Sequence, residues 1–304
     1  MTPTLEVLAT GPLVLVQDEG RAGHAAVGVG PSGAADRSAY RLGARLVGHG
    51  EGRAALEVLL GGLSVRAHGR VTAALTGAPA PATVDGRPVG HASLVEVPDG
   101  SVLTLGMPSV GVRSYLTVRG GFAVAPVLGS RSTDTLSGVG PPPVRPGDHL
   151  PIGHPGPAFP HVDQVAHPAH APGPAAADGR PVVLEVLPGP RSAWVGGWGT
   201  GLGGLLTSTW EVAGHSDRIG VRLSGSRVHR ATPWRDVELP SEGLVRGGVQ
   251  LPPGGEPVLF LADHPVTGGY PVVAVLTASA VDRAAQLRPG DPVRLVAAAK
   301  LTLP

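Results

Sequence analysis

Two short segments of this 304-residue chain bring together side chains able to hold and polarise a small polar molecule. Gln17-Asp18-Glu19-Gly20-Arg21 places two carboxylates, an amide and a guanidinium in one pentapeptide, at the C-terminal end of the apolar run Leu13 to Val16. It reads either as a turn closed by a surface ion pair or as a loop in which Asp18 and Arg21 position an amide-bearing substrate. The second segment is Asp263-His264-Pro265-Val266-Thr267-Gly268-Gly269-Tyr270-Pro271. With Val249-Gln250-Leu251-Pro252 it flanks the run Val258 to Leu261, so several polar groups gather at one strand end beside glycines that let backbone approach a ligand. A tight loop closing a barrel is the competing reading.

Other patterns carry less. Gly28-Val29-Gly30-Pro31-Ser32-Gly33 spells the dinucleotide fingerprint, but the preceding apolar strand ends near Val16 and Pro31 spoils the turn. What it retains is a loop leading to a helix N-terminus, where unpaired N–H groups favour an anion. Arg37, Arg41 and Arg45 recur every fourth residue as a basic stripe. His149, His154, His161, His167 and His170 crowd one stretch, yet prolines interleave them and no metal-ligand spacing repeats, so no metal site is expected. Neither a His-Glu-x-x-His helix nor a Gly-x-Ser-x-Gly elbow occurs.

Composition removes whole classes of function. With no cysteine there is no disulfide, no thiol nucleophile and no cysteine-bound zinc or iron–sulfur cluster. Only one of the 24 basic side chains is a lysine, Lys300, and its Ala-Ala-Ala-Lys-Leu setting suits neither a phosphate-binding loop, a Schiff base nor a biotin carrier. A net charge of +1 and 3% aromatic residues argue against a nucleic-acid surface. The longest nearly apolar stretch, Pro271 to Val281, is far short of a membrane span, and Glu6 interrupts any signal-like start, which predicts a soluble cytoplasmic protein.

The elements that must position these groups are short strands. With 47 glycines and 33 prolines, but 42% hydrophobic and only 15% charged residues, the chain is punctuated rather than disordered. Strands are expected over Leu13 to Val16, Val71 to Leu75, Ser101 to Leu105, Tyr115 to Val118, Val182 to Leu187, Val258 to Leu261 and Val272 to Leu276. Two helices are expected: Ala34 to Val47 with Ser32 near its cap, and Ala280 to Leu287 with Ser279 and Asp282 as a capping box. Three markers recur in the same order. Leu5-Glu6-Val7-Leu8 with Gly11-Pro12 returns as Leu184-Glu185-Val186-Leu187 with Gly189-Pro190, Asp36-Arg37 as Asp217-Arg218, and Arg145-Pro146-Gly147-Asp148 as Arg288-Pro289-Gly290-Asp291. Arg37 and Arg218 then read as paired structural clamps. The architecture predicted is mainly β: a first β-barrel domain over 1–155, a Pro/His-rich linker over 156–180 and a second β-barrel domain over 181–304.

The ordered set Gln17 to Gly23, Ser32-Gly33-Ala34 with Asp36, Leu56-Glu57, Thr76-Gly77-Ala78, Arg113-Ser114-Tyr115-Leu116, Gly120-Gly121, Leu128-Gly129-Ser130-Arg131-Ser132-Thr133, Ser216-Asp217-Arg218, Gln250 with Pro252, and Thr267 to Pro271 resembles one family. It is the allophanate hydrolase subunit 2 or KipA-type family, also described as the C subunit of 5-oxoprolinase. The resemblance covers nearly the whole chain, although His264-Pro265-Val266 stands where many relatives carry Arg-Gln-Thr. It implies two tandem cyclophilin-like β-barrel domains. It also implies work beside a KipI-type sister subunit, which is the B component of 5-oxoprolinase, and beside the A component of the same enzyme. Together they would carry out the ATP-dependent opening of 5-oxoproline to glutamate, with the isolated chain inactive. Two other roles occur in the family: the carboxyltransferase part of a biotin-dependent urea carboxylase, with biotin supplied in trans, and regulatory binding of a KipI-like kinase inhibitor. On the first role, Asp18, Asp263 and Tyr270 are the expected catalytic groups. Gln17, Arg21, Arg113, Tyr115, Arg131, Gln250, Thr267, Gly268 and Gly269 are expected to bind substrate or an anion, the arginines doing so bidentately. ATP is expected to be shared with the partners, and this chain alone to bind no metal.

Overall fold

The computed structural model describes residues 2–50, 52–157, 162–166, 180–197, 200 and 202–298. Lys300, His161, His167 and His170 fall outside them. The chain divides into two compact units, Met1–Gly23 with Pro31–Ala171, and His24–Gly30 with Pro172–Pro304. Helix is scarce, and among the described residues no helix is long and apolar enough to cross a membrane.

The first unit holds strands β1 (Thr4–Thr10), β2 (Leu13–Gln17), β3 (Ala55–Leu59), β4 (Leu63–His68), β5 (Val71–Gly77), β6 (Ala82–Val84), β7 (Arg87–Pro88), β8 (Leu94–Val97), β9 (Val102–Leu105), β10 (Arg113–Val118) and β11 (His149–Pro151). They form a six-stranded sheet in the order β11-β1-β4-β9-β6-β7 and a five-stranded sheet in the order β2-β3-β10-β5-β8. Both sheets feed one core, including Leu5, Val14, Leu56, Val65, Leu75, Leu103, Leu116 and Phe122.

Strand β10 is buried along its whole length because both of its faces are covered. Leu116 and Val118 enter the core. Arg113, Tyr115 and Thr117 alternate to the other face, where helix α1 (Arg37–Leu46) lies. The helix starts at Asp36, whose carboxylate accepts from the Ala39 N–H at 2.9 Å. The cap is therefore Asp36 rather than Ser32, and the helix begins later than its apolar period suggests. Gly43 is what lets it seat, since a Cβ there would come within 2.4 Å of Thr117 Oγ1.

The second unit holds β12 (Val182–Pro188), β13 (Thr209–Val212), β14 (Gly220–Ser224), β15 (Glu242–Gly243), β16 (Gly248–Gln250), β17 (Val258–Phe260), β18 (Thr267–Gly268), β19 (Val272–Leu276) and β20 (Pro292–Ala297). Seven close into a barrel in the order β12-β19-β16-β17-β14-β13-β20, and β15 pairs with β18 outside it. Helix α2 (Ala278–Ala284) is capped by Thr277, which accepts from the Ala280 N–H at 3.3 Å. Ser279 is displaced as the cap, and Asp282 instead pairs with Arg246 at 3.0 Å.

The repeated markers survive unequally. Each Arg-Pro-Gly-Asp tetrapeptide makes the same turn, with Arg145 N–H donating to Asp148 and Arg288 N–H to Asp291, both at 2.8 Å. The turns dock on different strands, the first on Val7 of β1 and the second on Val212 of β13. Asp36-Arg37 opens a helix, whereas Asp217-Arg218 opens strand β14. Within the Pro/His-rich stretch, residues 162–166 add to the first unit: Leu94 N–H donates to the Asp163 carbonyl at 2.7 Å and Val165 N–H to that of Ala92 at 3.0 Å.

One histidine is built into the first unit in its neutral form. His49 Nε2 accepts from the Gly120 N–H at 2.6 Å. Burial, reinforced by Arg53 and Arg119, lowers its pKa to about 4. An unfolded histidine takes up its proton near pH 6.5, so this contribution is complete above that value and is lost as the pH falls toward 4. After discounting for partial solvent exposure, it is worth about 1–2 kcal/mol. Urea denaturation at pH 7 and pH 4.5 should show His49→Gln losing less stability than wild type between the two; equal losses would contradict this.

Candidate functional site

The first expected segment is built around a buried carboxylate. Asp18 follows the last residue of β2 and is 4% exposed. Its Oδ1 accepts from the Gly20 N–H at 2.8 Å and from the hydroxyls of Ser130 and Ser132, each at 2.6 Å. Its Oδ2 accepts from the Arg131 N–H at 2.6 Å. Gln17 Nε2 donates to the Thr133 carbonyl at 2.8 Å, and the Arg21 guanidinium donates to the carbonyls of Ser132 and Val127. Arg131 Nε donates to the Val124 carbonyl at 2.8 Å. Four side chains expected to meet a ligand, Gln17, Asp18, Arg21 and Arg131, thus converge on one loop and satisfy its backbone. No ion pair within the segment closes its turn among the described residues; Glu19 pairs instead with Arg41 of α1 at 2.8 Å.

A second buried network carries Arg113 and Tyr115 of β10. Glu57 of β3 accepts from the Tyr115 hydroxyl at 2.8 Å and from the Ala35 N–H at 2.9 Å, and faces Arg113 Nε at 3.4 Å. The Tyr115 oxygen in turn accepts from the Asp36 N–H at 2.8 Å. Burial, with Glu57 and Asp36 adding to it, raises the Tyr115 pKa well above the usual phenol range, so the phenol stays protonated. These groups hold the entry to α1.

In the second unit Asp263 is paired bidentately with Arg218, at 2.8 and 3.0 Å, both side chains being buried. The clamp inferred for Arg218 is real, but its partner is distant in sequence. Gln250 Nε2 donates to the Tyr270 carbonyl at 3.2 Å. Gly268 packs so closely that a Cβ would lie 2.9 Å from Gln250 Nε2. Thr267 and Gly268 form β18.

Next to these residues opens a cleft of about 600 Å³. Its lining combines apolar Leu251, Pro252, Pro253 and Tyr270 with charged Arg230, Arg235, Asp236 and Glu238. Gly269 contributes backbone. Tyr270 is 44% exposed, so its ring and hydroxyl are available to a bound molecule. Arg230 is fixed from two sides, donating to the Val237 carbonyl at 2.7 Å and lying 5.1 Å from the Trp194 ring, which stacks on Trp234 at 4.9 Å. A cleft lined by apolar side chains, a fixed cation and carboxylates suits a small molecule bearing a carboxylate and an N–H donor.

Of the expected residues, Gly269 and Tyr270 line the cleft, with Gln250, Thr267 and Gly268 beside it in sequence and packing. Asp18 and Asp263 have their carboxylates turned to protein donors. Sequence reasoning missed Arg230, Arg235 and the tryptophan pair: Trp194 and Trp234 lie in short 3-10 turns, Ser192–Val195 and Thr232–Trp234, and the arginines outside any helix or strand, with no periodicity to flag them. Among the described residues there is no group of three or more histidine, aspartate or glutamate side chains placed to hold a metal ion.

Comparison with known proteins gives one consistent result. Residues 27–297 match the family model described as carboxyltransferase domain, subdomain A and B. The C subunit of 5-oxoprolinase from Escherichia coli is 34% identical over 96% of this chain and 90% of its own length. The solved urea amidolyase of K. lactis superposes with a TM-score of 0.85 at 28% identity over 98% of this chain, which spans only 19% of that one. The solved structure of TTHA0988 gives a TM-score of 0.81 at 33% identity, over 97% of this chain and 55% of that one.

The buried Arg218–Asp263 pair makes an asymmetric prediction. Arg218→Ala strands a carboxylate and should cost about 3–5 kcal/mol, whereas Arg218→Met with Asp263→Leu should cost far less. Denaturant melts of both variants check it; equal losses would mean the charges do not act as a pair.

Proposed function

The chain belongs to the family of carboxyltransferase domains with subdomains A and B, and from that premise we propose that it is the C subunit of an ATP-dependent 5-oxoprolinase complex. The reaction is 5-oxo-L-proline, ATP and water to L-glutamate, ADP and phosphate, and the A and B components complete the enzyme. The observation that carries this reading is the nearly end-to-end correspondence with a protein that bears this name. The match to a urea amidolyase spans only a small part of a much longer chain.

The cleft of the second unit supplies what this chain gives to the reaction. A five-membered lactam ring lies against Tyr270, Pro252 and Leu251, its carboxylate meets Arg230 and Arg235, and its amide N–H faces Asp236 or Glu238. An unstrained lactam carbonyl resists water until its oxygen is phosphorylated, so the ring must be held while another group delivers that activation. Tyr270 is the side chain placed to orient the ring or the attacking water. Asp18 and Asp263 act as positioning residues through the loops that they hold.

Neither of the two nucleotide-binding loops weighed from the sequence is carried by this chain. The Gly28–Gly33 run follows no strand directly, β2 having ended at Gln17, and there is no lysine among the described residues to meet phosphates. On this reading ATP is shared with the sister components, which hold most of the nucleotide. A second reading has its own support. The family description and the urea amidolyase fold favour carboxyl transfer to a urea-like amide, with biotin carried by another chain.

Reconstitution separates the two. With the A and B components from the same genome, ATP-dependent glutamate release is expected, and Arg235→Ala should raise KM for 5-oxoproline by about tenfold with kcat changed less, as expected for loss of uniform binding. Carboxylation of urea with a biotinylated carrier, and no glutamate, would overturn the 5-oxoprolinase reading.

A further inference from the structure

A second cleft, of about 590 Å³, lies in the first unit and shares no residue with the proposed substrate cleft. It opens where four segments meet: the residues before β1, the turn between β4 and β5, the end of β10 and the end of β11. Main-chain bonds tie these segments together. Arg119 N–H donates to the Thr72 carbonyl at 2.8 Å, Ile152 N–H to that of Pro3 at 3.0 Å, and Gly153 N–H to that of Gly121 at 2.9 Å. Gly120, at φ +107°, passes so close to the chain leaving β11 that a Cβ there would collide with the Gly153 carbonyl. The shape of the cleft is thus set by backbone and stands ready before any ligand arrives.

Its lining carries charge of one sign. Arg70, Arg119 and His154 face it and no lining residue is acidic, in a chain whose 24 Lys and Arg meet 23 Asp and Glu. The substrate cleft, by contrast, mixes both signs. Glu96 and Asp99, which neighbour two of the segments, are turned to other donors: Glu96 accepts from the Thr72 hydroxyl at 2.7 Å and Asp99 from the Gly69 N–H at 2.6 Å. Arg119 is fixed, since its guanidinium donates to the carbonyl of Val47, at the C-terminal end of α1, and to that of Gly156, both at 3.1 Å. Arg53 donates to the carbonyls of Gly120 at 2.7 Å and His154 at 3.0 Å, so a third guanidinium supports the same wall. His49 registers this positive field: burial is the larger cause of its lowered pKa, and Arg53 and Arg119 add to it. Arg70 is exposed, and among the described residues its guanidinium has no hydrogen-bond or ion-pair partner. One cation is therefore preset and another is available to meet an anion.

We infer that this cleft binds a small organic phosphate monoester. Such a group brings a charge of about −1.5 to −2 at neutral pH and three acceptor oxygens, which two guanidiniums can meet bidentately. A lone carboxylate would leave one of them uncompensated. Pro3, Val71, Ile152 and Pro155 supply apolar surface for the organic part, and the volume lies in the range of small-molecule sites. The inference stands apart from the 5-oxoprolinase reading, because no residue of the substrate cleft takes part.

The test is calorimetric titration of the purified full chain with phenyl phosphate at neutral pH and low salt. A Kd below about 1 mM is expected for wild type, and Arg70→Ala should raise it tenfold or more. The Tm of that variant should match wild type, so that lost binding is not lost fold. Arg87→Ala, at an exposed arginine of β7, should leave Kd within twofold. Inorganic phosphate should bind at least tenfold more weakly than the ester; equal affinity would overturn the assignment to an organic ligand. If wild type gives no binding, or if Arg70→Ala binds as wild type does, the site is refuted. If Arg235→Ala abolishes binding and Arg70→Ala spares it, the ester sits in the substrate cleft, and this inference falls while the 5-oxoprolinase reading is untouched.

Discussion

A buried carboxylate that must be fully solvated by protein is the constraint on which the first unit depends. Asp18 is satisfied by donors from its own turn and from a segment more than a hundred residues later. Removing an ionised group from water is tolerable only when every lone pair is met, so the two segments cannot separate without stranding a charge. The irregular loop after β10 therefore has one conformation, and everything that it presents outward is presented at a fixed place. Glu57 does the same for the entry to α1, through Tyr115 and Ala35.

The strands were legible because they are short β-branched apolar runs bounded by turn residues. Val272–Leu276 is recovered residue for residue, and Leu13–Gln17 and Val182–Pro188 differ from expectation by one residue at the end. Helix starts were not legible, because Ser32, Asp36, Thr277 and Ser279 are all competent caps and packing chose among them. Gly43 against Thr117 fixes where α1 lies, a contact that no local pattern encodes. The Arg-Pro-Gly-Asp turns are local and recur faithfully, but the strand that each one meets is tertiary information.

For the site, sequence identified residues that matter but not which way they face. Asp18, Arg21, Arg113, Arg131 and Asp263 have the chemistry of ligand-binding groups, and the fold turns that chemistry on itself. The Thr267 to Pro271 segment did lead to the cleft, because two glycines beside a tyrosine are a local signal of close approach. Arg230 and Arg235 gave none, since an arginine in an irregular stretch is ordinary until Trp194 is seen beneath one of them. The division of labour is thus plain: buried polar and ion-paired groups hold loops, and the proposed substrate cleft is left to the exposed rim beside Tyr270.

The barrel of the second unit is sealed by its outermost strands in sequence, β12 running parallel to β20 from Val182↔Val293 to Val186↔Ala297. During synthesis the seam cannot form until that final strand has left the ribosome, so this half of the chain must wait, with an open edge, until translation of β20 is complete. A nascent chain of this kind has reason to be shielded by a chaperone over that interval, and a stop codon just ahead of Pro292 would leave an unsealed sheet rather than a slightly shorter barrel.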